Sequence, residues 1–146
     1  MIEESYVSFD TAKMLKEAGF EANIKTRYVE EEKGEWMFSE LGSKRSDYNY
    51  FDDTIACPTQ ALAARWLREV YNLHVVITED AYVNGINYLW QVLVYNPKSL
   101  DCWDNKSTGL YGDNGEYKTY EEALEAGLQE AIKLIRSKDY EEDNVQ

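Results

Sequence analysis

Two cysteines and one histidine are the whole stock of thiol and imidazole chemistry in this 146-residue sequence. Cys57 and Cys102 form no C-x-x-C pair, and together with His74 they cannot fill a tetrahedral zinc site unless carboxylates complete it. Structural zinc is therefore not expected. Disulfide staples are not required either, because folding a chain of this length removes roughly 70% of the unfolded accessible surface. No apolar run approaches the roughly 20 residues that span a bilayer, and the longest mainly apolar stretch, residues 88–95, is the size of a strand. The opening MIEESYVSFD carries neither a basic nor an apolar leader segment, so the expected location is a reducing cytoplasm. Cations are scarce: 15 Lys and Arg stand against 28 Asp and Glu, a net charge of −13, and the one compact basic pair is Lys44-Arg45. Phosphate backbones are held by clustered cations, which argues against direct nucleic-acid binding. The acid excess is spread along the chain, with nine bases against fourteen acids in residues 1–73 and six against fourteen in residues 74–146. No internal repeat is present.

Amphipathic periodicity is what the chain does contain. Residues 9–18 read as a helix, with Ser8 or Asp10 as cap, Ala12, Leu15 and Ala18 on one face, and Gly19 as the stop. Ile24, Thr26 and Tyr28 alternate with Lys25 and Arg27, and Trp36 and Phe38 alternate with Glu35 and Met37, which predicts a strand pair turning over residues 30–34. Residues 41–53 combine turn formers with Tyr48, Tyr50 and Phe51 and read as a loop that packs. Thr59 caps a second helix to Tyr71, with Leu62, Ala63, Trp66, Leu67 and Val70 buried. Asn84-Gly85 marks a two-residue hairpin turn. That turn pairs Val83 with Ile86, and sets Ala81 against Tyr88, Glu79 against Trp90, Ile77 against Val92 and Val75 against Val94 on a nearly apolar face. A short strand is placed near residues 100–103. Thr119 and Glu122 form a capping box for the last helix, whose stripe is Tyr120, Ala123, Leu124, Gly127, Leu128, Ala131 and Ile135. A glycine on that stripe predicts that another backbone comes close at Gly127.

Few residues promise chemistry. Cys57, before Pro58 at a helix entrance, and His74 would make a Cys/His nucleophile pair, although a small buried thiol and a histidine opening a strand account for both. Asp101, Asp104, Asn105 and Asp113 offer oxygen ligands without the spacing of a calcium loop, and the glycines at 109, 112 and 115 lack the Lys-Ser/Thr of a phosphate loop. Turn formation explains these residues better, so neither a metal nor another cofactor is expected. Glu79, facing Trp90 in the predicted register, would be a raised carboxyl if buried, but a hairpin end that protrudes into water is the simpler expectation. Aromatic residues make up 14% of the chain, and Tyr48, Tyr50, Phe51, Trp103, Tyr111 and Tyr117 fall in predicted loops. Loop aromatics among acids suit a protein-contact surface.

Pro58-Thr59-Gln60-Ala61-Leu62 running into Trp66-Leu67-Arg68-Glu69, and Tyr120-Glu121-Glu122-Ala123-Leu124-Glu125-Ala126-Gly127-Leu128, resemble segments of small uncharacterised acidic proteins of gut-bacterial phages and integrated mobile elements. Val7-Ser8-Phe9, Ala12-Lys13 and Leu15-Lys16-Glu17-Ala18-Gly19-Phe20 resemble theirs as well. The resemblance lies in helix faces and caps. It implies an accessory factor that binds a host or phage protein, and it brings no site residues with it.

The expected fold is α+β: one antiparallel sheet of four or five strands, with about three helices mainly on one face, in a single domain over residues 1–137 and an acidic tail over 138–146. The expected function is non-enzymatic protein binding in the cytoplasm. An acidic nucleic-acid mimic is the alternative, and a Cys57/His74 hydrolase the third reading. The outer sheet face, with Leu89, Leu93 and Tyr82, offers a homodimer contact.

Overall fold

The computed structural model describes residues 1–83, 85–95, 103–104 and 117–136. The described chain is α+β, and its contacts divide into two compact units, Met1–Leu62 and Ala63–Gln146.

The first unit opens with α1, Phe9–Glu17, where the Ser8 hydroxyl accepts from Thr11 N at 3.2 Å and so satisfies one of the free amides of the first turn. Ala12 and Leu15 are fully buried, as their spacing predicted. Strands β1, Arg27–Glu32, β2, Glu35–Ser39, and β3, Thr54–Ala56, form an antiparallel sheet in the order β2-β1-β3. β1 begins later and runs further than its alternation suggested. Ile24 bridges Arg45 instead of joining the strand, while Glu30 and Glu32 are paired strand residues, so the turn shrinks to Lys33-Gly34 with a bulge beside it. Gly34 sits at a φ of +88°, which accommodates this tight reversal. Residues 41–53 pack through a 3-10 turn at Tyr48–Tyr50, whose Tyr48 is buried.

Helix α2, Gln60–Tyr71, contains the boundary between the units, and Leu62 N donates to the capping hydroxyl of Thr59 at 3.1 Å. Ala63 and Leu67 are buried on it, whereas Val70, expected on the same face, is exposed in the last turn.

In the second unit β4, Leu73–Tyr82, and β5, Gly85–Tyr95, pair antiparallel, and the two residues of β6, Trp103–Asp104, lie against Tyr95 and Val94. The expected single sheet of four or five strands is thus replaced by two sheets among the described residues. The hairpin register also differs from expectation. Tyr82 pairs with Gly85, so Glu79 faces Tyr88, Ile77 faces Trp90, Val75 faces Val92 and Leu73 faces Val94. The whole ladder is shifted by two residues, which is one full side-chain period, so the pairing preserves which backbone positions share a face. The shift sets fully buried Leu73 against Val94, where the turn-derived register would have set it against Asn96. In this register Leu73 and Val94, Val75 and Val92, Ile77 and Trp90, and Ala81 and Ile86 form apolar pairs; Asn84 of the expected turn lies outside the described residues.

Helix α3, Tyr120–Ile135, starts at Thr119, whose hydroxyl accepts from Glu122 N at 3.1 Å. Its buried stripe is Ala123, Leu124, Gly127, Leu128, Ala131 and Ile132. Tyr120, expected in the stripe, is exposed at the helix start, with its ring 6.3 Å from that of Tyr88, and Ile135 is half-buried near the other end. The close approach predicted at Gly127 is made by side chains: a Cβ there would lie 2.6 Å from Val75 Cγ1 and 3.0 Å from Trp90 Cβ. On the opposite sheet face Leu89 is buried and Leu93 half-buried. No helix among the described residues is long and apolar enough to cross a membrane. The predicted tail, residues 138–146, lies outside the described residues.

Candidate functional site

The aromatic residues expected to form one surface separate into structural and exposed positions. Tyr48 is only 6% exposed; its hydroxyl donates to Ser43 O at 2.6 Å, and the Arg27 guanidinium sits 4.8 Å from its ring centre. It is a core residue of the first unit. Tyr50 is 69% exposed and donates to Glu21 Oε2 at 2.8 Å, a hydrogen bond that pushes its phenol pKa up. Phe51 is exposed beneath Arg45, whose guanidinium lies 5.8 Å from the ring centre and grips Asp47 through two hydrogen bonds of 2.8 and 2.7 Å. Those bonds hold the Asp47 carboxyl below the usual range.

Trp103 and Tyr117 belong to the second unit. Trp103 contributes backbone pairing to Tyr95, and Tyr117 exchanges two backbone hydrogen bonds with Tyr88, of 2.8 and 3.0 Å. The half-buried Tyr117 therefore extends the β5 ladder just before α3. Tyr111 lies outside the described residues.

A different set of rings, drawn from separate parts of the sequence, forms the most extended chain of ring contacts among the described residues. The chain before α1 runs beside residues 58–60: Val7 N donates to Pro58 O at 3.1 Å, Gln60 N donates to Ser5 O at 2.8 Å, and Tyr6 bridges Thr59. This anchoring sets the Tyr6 ring 5.2 Å from that of Phe38 on β2. Phe38 lies 5.8 Å from Tyr28, Tyr28 lies 5.2 Å from Phe9, and Phe9 lies 5.6 Å from Trp36. Edge-to-face and tilted contacts at these separations are favourable for aromatic quadrupoles. Alternation puts Trp36 and Phe38 on one face of β2, and the pairing of Tyr28 with Phe38 brings Tyr28 to the same face. Phe9 and Tyr6 come from sequence positions far from that hairpin, and only folding brings them in.

The cluster is incompletely buried. Phe38 is 41% and Tyr6 38% exposed, while Phe9, Tyr28 and Trp36 are half-buried. Its rim is acidic. Glu30 is directly across the ladder from Trp36, and burial together with the nearby carboxylates of Glu40 and Glu4 pushes the Tyr6 phenol pKa up.

The remaining candidates for chemistry sit in ordinary surroundings. Cys57 is fully buried, with its thiol donating to Val7 O at 3.5 Å. Half-buried His74 is the second residue of β4, with Nε2 3.0 Å from Asn72 Oδ1. Glu79 is exposed near the hairpin end. Of the acids considered for calcium, Asp104 is in β6, and Asp101, Asn105 and Asp113 lie outside the described residues, as do Cys102 and the glycines at 109, 112 and 115. Among the described residues no three His, Cys, Asp or Glu side chains converge to hold a metal ion.

Burial holds the His74 pKa below the ordinary imidazole range, and the Arg68 guanidinium adds to the effect. The unfolded chain therefore takes up a proton first as pH falls through about 6.5. The stability tied to neutral His74 is present above that pH and is lost as pH drops toward the lower folded value. Urea unfolding between about pH 7.5 and pH 5 should show stability declining with acidification, and His74→Gln should remove that component. An identical decline in the variant would contradict the assignment.

Compared with known proteins, the chain matches no family model, no curated protein and no solved structure.

Proposed function

We propose that the chain is a non-enzymatic protein-binding factor acting in the cytoplasm, of the accessory kind carried by phages and mobile elements. The observation that carries this reading is the cluster of Tyr6, Phe9, Tyr28, Trp36 and Phe38, which leaves two rings partly exposed on the first unit. Aromatic rings of this kind concentrate binding energy when a partner covers them, and contiguous exposed apolar surface marks contact sites. The resemblance of the helix faces to small acidic phage and mobile-element proteins supports the accessory role. A thiol buried against a main-chain carbonyl is poorly placed as a nucleophile, which speaks against the hydrolase reading.

Affinity capture of the tagged chain from its host lysate, after nuclease treatment, tests the reading. It is run at about 0.1 M and about 1 M salt, where the screening length falls from about 10 Å to about 3 Å. A stoichiometric partner retained at the higher salt, and lost with the pair Tyr6→Ala and Phe38→Ala, is the expected result. A partner that is itself a nucleic-acid binder and is released by salt irrespective of those substitutions would favour acidic mimicry instead. No partner at either salt would sink both readings.

A further inference from the structure

We infer that the outer edge of β2, with the rings beside it, receives an extended basic segment of a partner protein, which joins the first sheet as an additional strand. This rests on the protein-binding reading above and names the chemistry of the partner.

Three observations meet at this edge. β2 is the outer strand of the order β2-β1-β3, and among the described residues no strand pairs with its other side. Such an edge presents alternating N–H and C=O groups that an extended peptide can complete. Trp36 and Phe38 are two residues apart on β2, so their side chains leave the same face about 7 Å apart, the spacing at which an added strand places its own alternate side chains. Alternate side chains of the incoming segment therefore run along the ring cluster.

The charge around the edge selects the sign. Residues 1–40 carry ten acids and five bases. Two of the five bases are turned onto main-chain carbonyls: Lys16 donates to Phe51 O and Thr54 O, and Arg27 donates to Lys25 O and Leu41 O. Lys13, Lys25 and Lys33 are the others, all exposed. Against them, Glu30 faces Trp36, Glu4 and Glu40 lie near Tyr6, and Glu32 stands directly opposite Glu35 at the hairpin end. Arginine on alternate positions satisfies both halves of the site, because a guanidinium is attracted to aromatic faces as well as to carboxylates. Two copies paired antiparallel about the middle of β2 would bring Glu35 of each near Glu40 of the other, which disfavours edge-to-edge self-pairing.

The probe is a fluorescent peptide of about eight residues alternating arginine with valine, a length typical of a strand. Its binding to the full chain is followed by anisotropy, beside a version with glutamate for arginine and a version N-methylated at alternate amides. The arginine peptide should bind at least about tenfold more tightly than the glutamate peptide, and N-methylation should cost about tenfold. Phe38→Ala, which truncates a partly exposed ring, should weaken binding about tenfold. Glu4→Gln with Glu40→Gln, which leaves the packing untouched, should weaken it several-fold and reduce its salt dependence. Equal binding of the arginine and glutamate peptides, indifference to Phe38→Ala, or indifference to N-methylation would overturn the proposal. So would self-association of the chain that the arginine peptide cannot displace. If lysate capture returns a partner while the arginine peptide fails to bind, the basic-strand assignment falls and the protein-binding reading stands; if both fail, both fall.

Discussion

Gly127→Val is expected to destabilise the second unit by about 3 kcal/mol, and Gly127→Ala by about 1 kcal/mol, in spite of alanine's better helix propensity. Alanine in place of glycine gains about 1 kcal/mol in a helix interior. Overpacking a closed site costs about 1–3 kcal/mol. The geometry decides between them, because the new methyl would lie 2.6 Å from Val75 Cγ1 and 3.0 Å from Trp90 Cβ. Trp90 Cβ is bonded directly to the backbone of β5 and cannot swing aside, and β-branched Val75 has few rotamers to yield with. α3 must therefore lift from the hairpin. Valine adds two further methyl groups to the same space and loses much of the propensity gain. Urea unfolding followed by circular dichroism measures both variants, and Val75→Ala combined with Gly127→Ala should recover about 1 kcal/mol of the loss through removal of the closest contact. A Gly127→Ala protein as stable as the parent would show that α3 does not lie this close.

Cys57 is expected to react with a disulfide reagent at least about a thousandfold more slowly in the native chain than in urea, measured in a Cys102→Ala background so that one thiol reports. The thiol has no exposed surface. The segment carrying it is tied on two sides: Cys57 N donates to Thr26 O at 3.0 Å, Thr26 Oγ1 donates to Cys57 O at 2.7 Å, and Val7 N donates to Pro58 O at 3.1 Å. Reaching the sulfur requires this part of the first unit to open, and an opening free energy of about 4 kcal/mol corresponds to about a thousandfold protection. Nucleophilic cysteines are reactive because reagents and substrates reach a stabilised thiolate. Rapid modification at neutral pH would contradict the burial and return the Cys57/His74 hydrolase to contention.

The helices were the most legible part of the chain. Ser8, Thr59 and Thr119 act at the starts where they were expected, because a cap and its amide are three residues apart and need nothing remote. Errors gathered where an element meets its end. Val70 and Tyr120 satisfy the helical period but sit in terminal turns, where the surroundings no longer cover them. The loop aromatics misled for a related reason. Tyr48 is punctuated like a surface residue, yet Arg27, from β1, and Arg45 close over it.

The hairpin of β4 and β5 separates the two kinds of information. Alternation along each strand is a local property, and it fixed which backbone positions share a face whatever the register. Register is a sum over all the cross-strand pairs, and the pairing of Leu73 with Val94 together with the packing of α3 against Val75 and Trp90 places the ladder two residues from where the turn alone would put it. The ring cluster follows the same logic at longer range. Local pattern sufficed to set the helices and their caps, since hydrogen bonds and side-chain periods span only a few residues; the three-residue β3, Thr54–Ala56, carries no such pattern and was not expected. Which strands share a sheet, and that Tyr6, Phe9 and Phe38 meet at an open edge, emerged only on folding, because those contacts join positions some thirty residues apart and depend on everything packed between them.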